Sequence, residues 1–177
     1  MERPEIVPKL TYHGDEEKRA LLRGLNPKEL GRMDVEHLIS NMHSESNPDI
    51  ISSTRHVIKK WVAVEPRDAE VIIHSLGFAA VSAQQPRARS ALVELLGYTK
   101  HEKAIEPLGR ALQTDSDAGV RNMAVTMLGH FDSEAAKNAV NKASKTEKDK
   151  MVQRGIAWAL ENIDKIRADR PLRRGGQ

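Results

Sequence analysis

Histidines and carboxylates are the side chains of this sequence that could bind a metal or transfer protons. The chain has seven histidines and no cysteine, which excludes thiol catalysis, disulfides and cysteine-ligated metals. A His-Glu dipeptide occurs once, at His101-Glu102, and once reversed, at Glu36-His37. A single pair cannot supply the converging ligands that a metal centre needs. We therefore predict no metal site and no other cofactor.

Sequence patterns of known catalytic loops are also absent. The chain has no phosphate-binding glycine loop, no dinucleotide-binding fingerprint and no Gly-x-Ser-x-Gly turn. Asp115 and Asp117 lie beside a predicted helix start, where capping explains them without any acid–base chemistry. These absences predict that the protein is not an enzyme.

An internal repeat organises the chain. Three segments align without gaps at a spacing of 32 residues, with Leu96, Leu128 and Leu160 in one column. The segments are Ala88–Thr99, Val120–Phe131 and Val152–Ile163. Apolar residues recur within each segment at steps of three and four, which is the pattern of one helix face. A weaker copy, His56–Arg67, lies one period upstream.

Residues at the ends of these segments predict where the helices begin and stop. Asp117 and Asp149 each precede the first apolar position by three residues, where a short acidic side chain can cap the first turn. Gly97 and Gly129 are predicted to close the helices in the left-handed conformation. In the other copies the cap column holds Ser53 and Gln85-Pro86.

A second amphipathic helix is predicted after each first one. It covers His101–Leu112 in one unit and Ser133–Ala143 in the next, and in the weak copy it covers Arg67–Leu76. Pro107 lies inside the first of these and is expected to kink it. The chain is thus predicted to consist of antiparallel helix pairs.

Two sets of residues match a known repeat pattern. They are Asp117, Val120, Arg121, Ala124, Leu128 and Gly129 in the first helix, and Ala104, Ile105, Pro107, Leu108 and Leu112 in the second. In these two sets of residues the chain resembles the HEAT-like repeats named after the phycobilisome lyases. The resemblance implies an all-α fold, a right-handed α-α superhelix in which helix pairs stack into a short solenoid. It also implies that Arg89 and Arg121 pair with cap acids of a neighbouring unit.

Three regions are expected along the chain. They are an N-terminal helical capping region at residues 1–52, the HEAT-like repeats at 53–164, and a basic disordered tail at 165–177. Within the capping region, helices are predicted at Asp15–Leu25 and at Val35–Met42, the latter capped by Asp34. Asn47-Pro48 is predicted to start a further helix.

The net charge of +3 is distributed unevenly. From Lys137 to the end there are 11 Lys and Arg against 5 Asp and Glu, whereas the rest has 17 against 20. A basic end of this kind is typical either of a solvated tail or of a surface that binds nucleic acid. The candidates for polyanion binding are Lys142, Lys145, Arg167, Arg170, Arg173 and Arg174. No aromatic residue separates them, so such binding would be directed to phosphates.

The repeat pattern favours a non-enzymatic scaffold that binds another protein. Second helices usually line the concave face of such solenoids, so their exposed positions form the predicted binding surface. These positions are Glu102, Lys103, Glu106, Arg110, Lys137, Asn138 and Asn141. The alternatives are a nucleic-acid-associated protein that uses the basic third and a lyase-like accessory protein. The sequence leaves the identity of the partner and the oligomeric state open.

Two further expectations concern location and the tryptophans. No apolar stretch approaches the ~20 residues needed to cross a bilayer, and the N-terminus lacks the apolar run of a signal peptide. We therefore expect a cytoplasmic protein without membrane contact. Trp61 and Trp158 lie on first helices, where a tryptophan is expected to be part of the core.

Overall fold

The computed structural model describes residues 14–64 and 68–169, and every regular element within these ranges is helical. The α-helices are α1 (Asp15–Gly24), α2 (Arg32–Met42), α3 (Pro48–Val64), α4 (Ala69–Ser82), α5 (Pro86–Tyr98), α6 (Ile105–Thr114), α7 (Ala118–Leu128), α8 (Glu134–Ser144) and α9 (Lys150–Ala168). Single 3-10 turns occur at Pro27–Glu29 and Glu102–Ala104. None of the described helices is both long and apolar enough to cross a membrane.

The helices form two layers. The odd-numbered helices α1, α3, α5, α7 and α9 pack on one another in series, and so do the even-numbered helices α2, α4, α6 and α8. Each even-numbered helix also packs on the odd-numbered helix that follows it. The predicted all-α solenoid of stacked helix pairs is therefore confirmed.

The core between the layers is aliphatic, as the repeat columns predict. Leu96 and Leu128 are fully buried, and Leu160, in the same column, is partly buried. Trp61 is buried and donates its indole N–H to the carbonyl of Leu30 at 3.1 Å. Trp158 contradicts the prediction because it is 40% exposed on α9, the last described helix, whose outer side no further helix covers.

Two of the predicted caps are confirmed. The carboxylate of Asp117 accepts the N–H of Val120 at 3.0 Å, and the carboxylate of Asp149 accepts two N–H groups in the first turn of α9. Ser53 is not a cap, because α3 already begins at Pro48, where the Asn47 side chain accepts the first N–H groups. Gln85 precedes α5 without a side-chain cap bond.

Other local predictions need correction. Pro107 is the third residue of α6, where its missing N–H is not required, because residues 102–104 form a separate 3-10 turn. Asp34 lies inside α2 and accepts the N–H of Gly31 at 2.8 Å, so the helix begins before it. α9 continues to Ala168, so the first residues of the predicted tail, 165–168, are helical, and residues 170–177 lie outside the described ranges.

Gly97 and Gly129 do not take the left-handed conformation predicted for them. Gly129 has a φ of −59°, and no glycine among the described residues has a positive φ. α7 does end before Gly129, as predicted, whereas α5 continues past Gly97 to Tyr98. Both glycines serve close packing. A Cβ atom at Gly129 would lie 3.1 Å from the Cα of Ala159, and one at Gly97 would lie 2.7 Å from the Cβ of Met127. The two glycines therefore let successive odd-numbered helices approach each other.

We expect Gly129→Ala to destabilise the protein by about 1–3 kcal/mol, because the added methyl group would overpack the contact with the α9 backbone. Chemical denaturation followed by circular dichroism would measure the change. Gly24→Ala is the matched control, since nothing lies within 4 Å of the position its Cβ would occupy. Equal losses in both variants would contradict the packing role of Gly129.

An ion pair recurs in two successive units, and we call Arg89–Asp115 together with Arg121–Glu147 the arginine ladder. The Nε of Arg89 lies 2.7 Å from a carboxylate oxygen of Asp115, and the Nε of Arg121 lies 2.8 Å from one of Glu147. Both pairs are bidentate and largely buried. The partners are thus not the cap acids but acids two residues before each cap.

Backbone hydrogen bonds extend the ladder across unit boundaries. Arg121 donates to the carbonyls of Asp115 and Ser116 at 2.9 and 3.1 Å, and Arg89 makes the equivalent bonds to residues 83 and 84. Towards the next unit, Glu147 accepts the backbone N–H of Asp149, the cap residue of α9, at 2.8 Å. Each arginine–acid pair therefore fixes the loops on both sides of its own unit.

Candidate protein-binding surface on the even-numbered helices

Helix α4 has an unusual composition for a surface helix. Its sequence, AEVIIHSLGFAAVS, contains only Glu70, His74 and two serines as polar residues. A helix that is apolar on all sides is normally buried on all sides. In the described structure only one side of α4 is buried, by α5 and the neighbouring even-numbered helices.

The opposite side of α4 presents four residues to solvent, which we call the α4 seam: Val71, His74, Phe78 and Val81. Phe78 is 66% exposed, and the two valines are 37% and 38% exposed. Single exposed apolar side chains are common, whereas several along one helix face are typical of interaction surfaces.

A groove separates the α4 seam from α6. It holds about 550 Å³ and is lined by Val71, Phe78 and Val81 on one side and by Pro107 and Arg110 on the other. The helices approach closely at its base, because a Cβ atom at Gly77 would lie only 3.0 Å from the Cβ of Pro107. The floor of this α4/α6 groove is therefore mostly apolar.

The charged rim of the α4/α6 groove is already paired within the chain. Lys103 donates to Glu70 at 2.5 Å, and Arg110 donates to Glu106 at 2.5 Å. The hydrogen bond from Lys103, followed by the charges of Lys103 and His101, lowers the pKa of the Glu70 carboxyl below its usual value. The positive and negative charges of the rim thus balance each other. The apolar floor is the part of the groove that has no partner within the described residues.

A second groove, between α6 and α8, collects several of the predicted binding residues. It holds about 530 Å³, with Gly109 and Ala139 in its lining together with Glu102, Glu106 and Arg110. Lys103 lines the α4/α6 groove instead. The predicted binding residues on α6 and on the turn before it are therefore divided between two adjacent grooves.

The predicted residues on α8 are placed differently. Lys137 points towards α9, where its Nζ lies 2.5 Å from the carboxylate of Asp164. Asn138 is exposed, Asn141 is half-buried, and neither lines either groove. On this helix, Lys142 is the predicted polyanion-binding residue that lines the α6/α8 groove.

Other predicted polyanion-binding residues are dispersed. Lys145 is exposed at the end of α8, whereas Arg167 pairs with Glu134, and this hydrogen bond raises the pKa of its guanidinium. Arg170, Arg173 and Arg174 lie outside the described residues. Three further exposed cations lie close to Lys145 in sequence, at the α8–α9 junction, namely Lys148, Lys150 and Arg154.

The histidines and acids do not converge on a metal site within residues 14–64 and 68–169. His101 begins the turn before α6, where its Nδ1 accepts the N–H of Lys103 at 3.2 Å. His130 lies edge-on to Trp158 with ring centroids 5.4 Å apart. Burial, followed by the charge of Lys100, lowers the pKa of His130.

Sequence reasoning missed the α4 seam because it ended the second helix of the weak copy at Leu76. Phe78 and Val81 lie beyond that limit, on the last turns of the observed α4. The available signal was the near absence of charge between Val71 and Ser82. That stretch is too apolar for one exposed helix face.

Comparison with protein families found one matching model, described as HEAT repeats, which covers residues 75–173. This is more than half of the 177 residues. The matched range contains the second half of α4 and all of α5 to α9. A comparison with curated proteins found no significant match.

Proposed function

The chain belongs to the HEAT-repeat family, and we propose that it is a non-enzymatic scaffold whose protein partner covers the α4/α6 groove. The observation that carries this proposal is the α4 seam, in which Phe78 is 66% exposed beside two further exposed apolar residues. Covering these side chains would remove apolar surface from water, which favours association. A cytoplasmic location and the absence of a lyase-like role are part of the same proposal.

The chemistry of the groove favours a protein over a polyanion. Its floor is apolar, and the ion pairs Lys103–Glu70 and Arg110–Glu106 neutralise its rim. A polyanion would require cations that are free to contact phosphates. Apolar centres with a polar, paired rim are typical of protein–protein interfaces.

We expect Phe78→Glu to weaken partner binding at least tenfold, because a charge would be placed at the centre of the apolar surface. Quantitative pull-downs from nuclease-treated native lysate would compare this variant with the wild type, and the retained protein would then be titrated in purified form. Met151→Glu is the matched control, since Met151 is 40% exposed on α9 in the other layer. Unchanged binding by Phe78→Glu would contradict the proposal.

A second candidate function rests on the α8–α9 junction. Five exposed cations lie there, and the nearby acids are engaged, Glu147 by Arg121 and Asp149 by capping. The cations are Lys142, Lys145, Lys148, Lys150 and Arg154. If this surface binds nucleic acid, affinity for random duplex DNA should fall steeply with salt, and Lys145→Gln with Lys148→Gln should flatten the slope. No binding at low salt would reject this candidate.

A further inference from the structure

We propose that the partner at the α4 seam is a second copy of this chain, which packs its own α4 antiparallel against the first. This inference rests on the proposed function, since it names the protein that covers the α4/α6 groove. It requires a surface that is complementary to itself under a twofold rotation. The α4 seam has this property in its spacing, in its side chains and in its charge.

The spacing of the seam residues is typical of a helix that packs along the length of another helix. The seam residues follow one another at steps of three, four and three along α4. This is the alternation of a and d positions in a coiled-coil contact, which keeps one row of side chains facing a partner helix over several turns. α4 has 14 residues, so the contact would extend over about 20 Å.

The order of the side chains is symmetric about the middle of the helix. In an antiparallel pair centred on Leu76, Val71 faces Val81 of the second copy and His74 faces Phe78 of the second copy. The outer contacts are then valine on valine, and the inner contacts place an imidazole against a phenyl ring. Each of the four seam residues therefore faces a side chain of the second copy against which it can pack.

Charge favours the antiparallel arrangement over the parallel one. Glu70 is the only carboxylate on α4, and in the antiparallel pair it faces Ser82 of the second copy. The two Glu70 residues are then about 18 Å apart along the helix axis, so they do not repel each other at contact distance. A parallel pair would bring the two carboxylates side by side.

The surroundings of the seam also suit an identical partner. The ion pairs Lys103–Glu70 and Arg110–Glu106 leave no surplus charge that would select an acidic or a basic partner. A second copy brings an equally neutral rim and an equally apolar row. Neither copy would then have to bury an unpaired charge.

Sedimentation analysis of the purified chain up to about 100 μM should show a reversible dimer. Phe78→Glu should shift the protein to monomer, whereas Phe78→Leu and the control Met151→Glu should remain dimeric. Circular dichroism of each variant would verify that the helices are intact. A wild-type protein that is monomeric throughout this range would overturn the inference.

The absence of cysteine allows a direct test of orientation. Val71→Cys combined with Val81→Cys should form an intermolecular disulfide on mild oxidation, because residues 71 and 81 of opposite copies meet. Val71→Cys alone should not, since the two residues 71 lie about 15 Å apart along the axis. Cross-linking of the single variant as readily as the double variant would overturn the antiparallel pairing.

The two proposals can fail separately. Suppose that the wild type is monomeric, that it retains a protein from lysate, and that Phe78→Glu does not retain that protein. A different protein then occupies the groove, and only the second-copy inference is wrong. If the wild type is monomeric and Phe78→Glu retains the same proteins as Met151→Glu, both the inference and the proposed function are wrong.

Discussion

Replacing Leu128 with alanine should lower the free energy of unfolding by about 2–5 kcal/mol. The Leu128 side chain is fully buried on α7, which packs against α5, α6 and α9. Removing its branched end loses apolar burial and leaves a cavity that helices on several sides cannot all close. Urea denaturation followed by far-ultraviolet circular dichroism would measure the change.

Leu160→Ala provides the control for this prediction. Leu160 lies in the same repeat column, one period later, but it is only partly buried on α9. Its truncation should therefore cost clearly less than that of Leu128. Similar losses of unfolding free energy at Leu128 and Leu160 would contradict the prediction, because they would show that the burial of the side chain does not determine the loss.

Replacing Arg121 with methionine should cost about 3 kcal/mol, because it leaves the carboxylate of Glu147 without its guanidinium partner. The Arg121 and Glu147 side chains are only 17% and 6% exposed. The variant also loses the two bonds from Arg121 to the carbonyls of residues 115 and 116. Equilibrium denaturation at neutral pH would report the loss.

The double variant with Arg121→Met and Glu147→Gln tests whether the ion pair causes that loss. It should be less destabilised than the sum of the two single variants, because no unpaired charge remains. Strict additivity would contradict coupling between the two side chains. Lys18→Met is a milder comparison, since Lys18 pairs with Glu45 at 3.2 Å in an equivalent position nearer the surface.

Acid should affect the same pair. The hydrogen bond from Arg121, followed by smaller contributions from backbone N–H groups and the Arg121 charge, lowers the pKa of Glu147 below its usual 4.5. The folded state therefore binds this proton less readily than the unfolded state. The stability that the ionised Glu147 carboxylate contributes is present at neutral pH. It is lost as pH falls from about 4.5 through the lowered pKa. Glu147→Gln should remove this part of the pH dependence.

The repeat made much of the fold predictable from sequence. Leu96 and Leu128 could be assigned to the core because the 32-residue period superimposes them, and one helix face explains both. Asp117 and Asp149 could be assigned as caps because capping depends on neighbouring N–H groups alone. The core columns and these two caps were therefore recovered, whereas the local predictions at Ser53, Asp34 and Pro107, where the helix boundaries were misplaced, were not.

Features that depend on contacts between units were not recovered. α7 ends before Gly129, as predicted, but the need for a glycine there comes from the close approach of Ala159 on the next odd-numbered helix. Phe78 belongs to a helix whose end could not be located, because the repeat is weak in that unit. The ion pair of Lys137, one of the predicted binding residues, was not foreseen because its partner, Asp164, lies 27 residues away on α9.

The arginine ladder has a consequence for how arrays of this kind change length in evolution. Within a unit, Arg121 and Glu147 recognise each other, but their bonds to adjacent units go only to backbone carbonyls and N–H groups. Backbone groups are the same in every neighbour. A duplicated 32-residue segment would thus bring its own arginine–acid pair, whose bonds to either flank require no particular side chain there. The hydrogen bonds of this junction therefore do not themselves limit the number of units in the array.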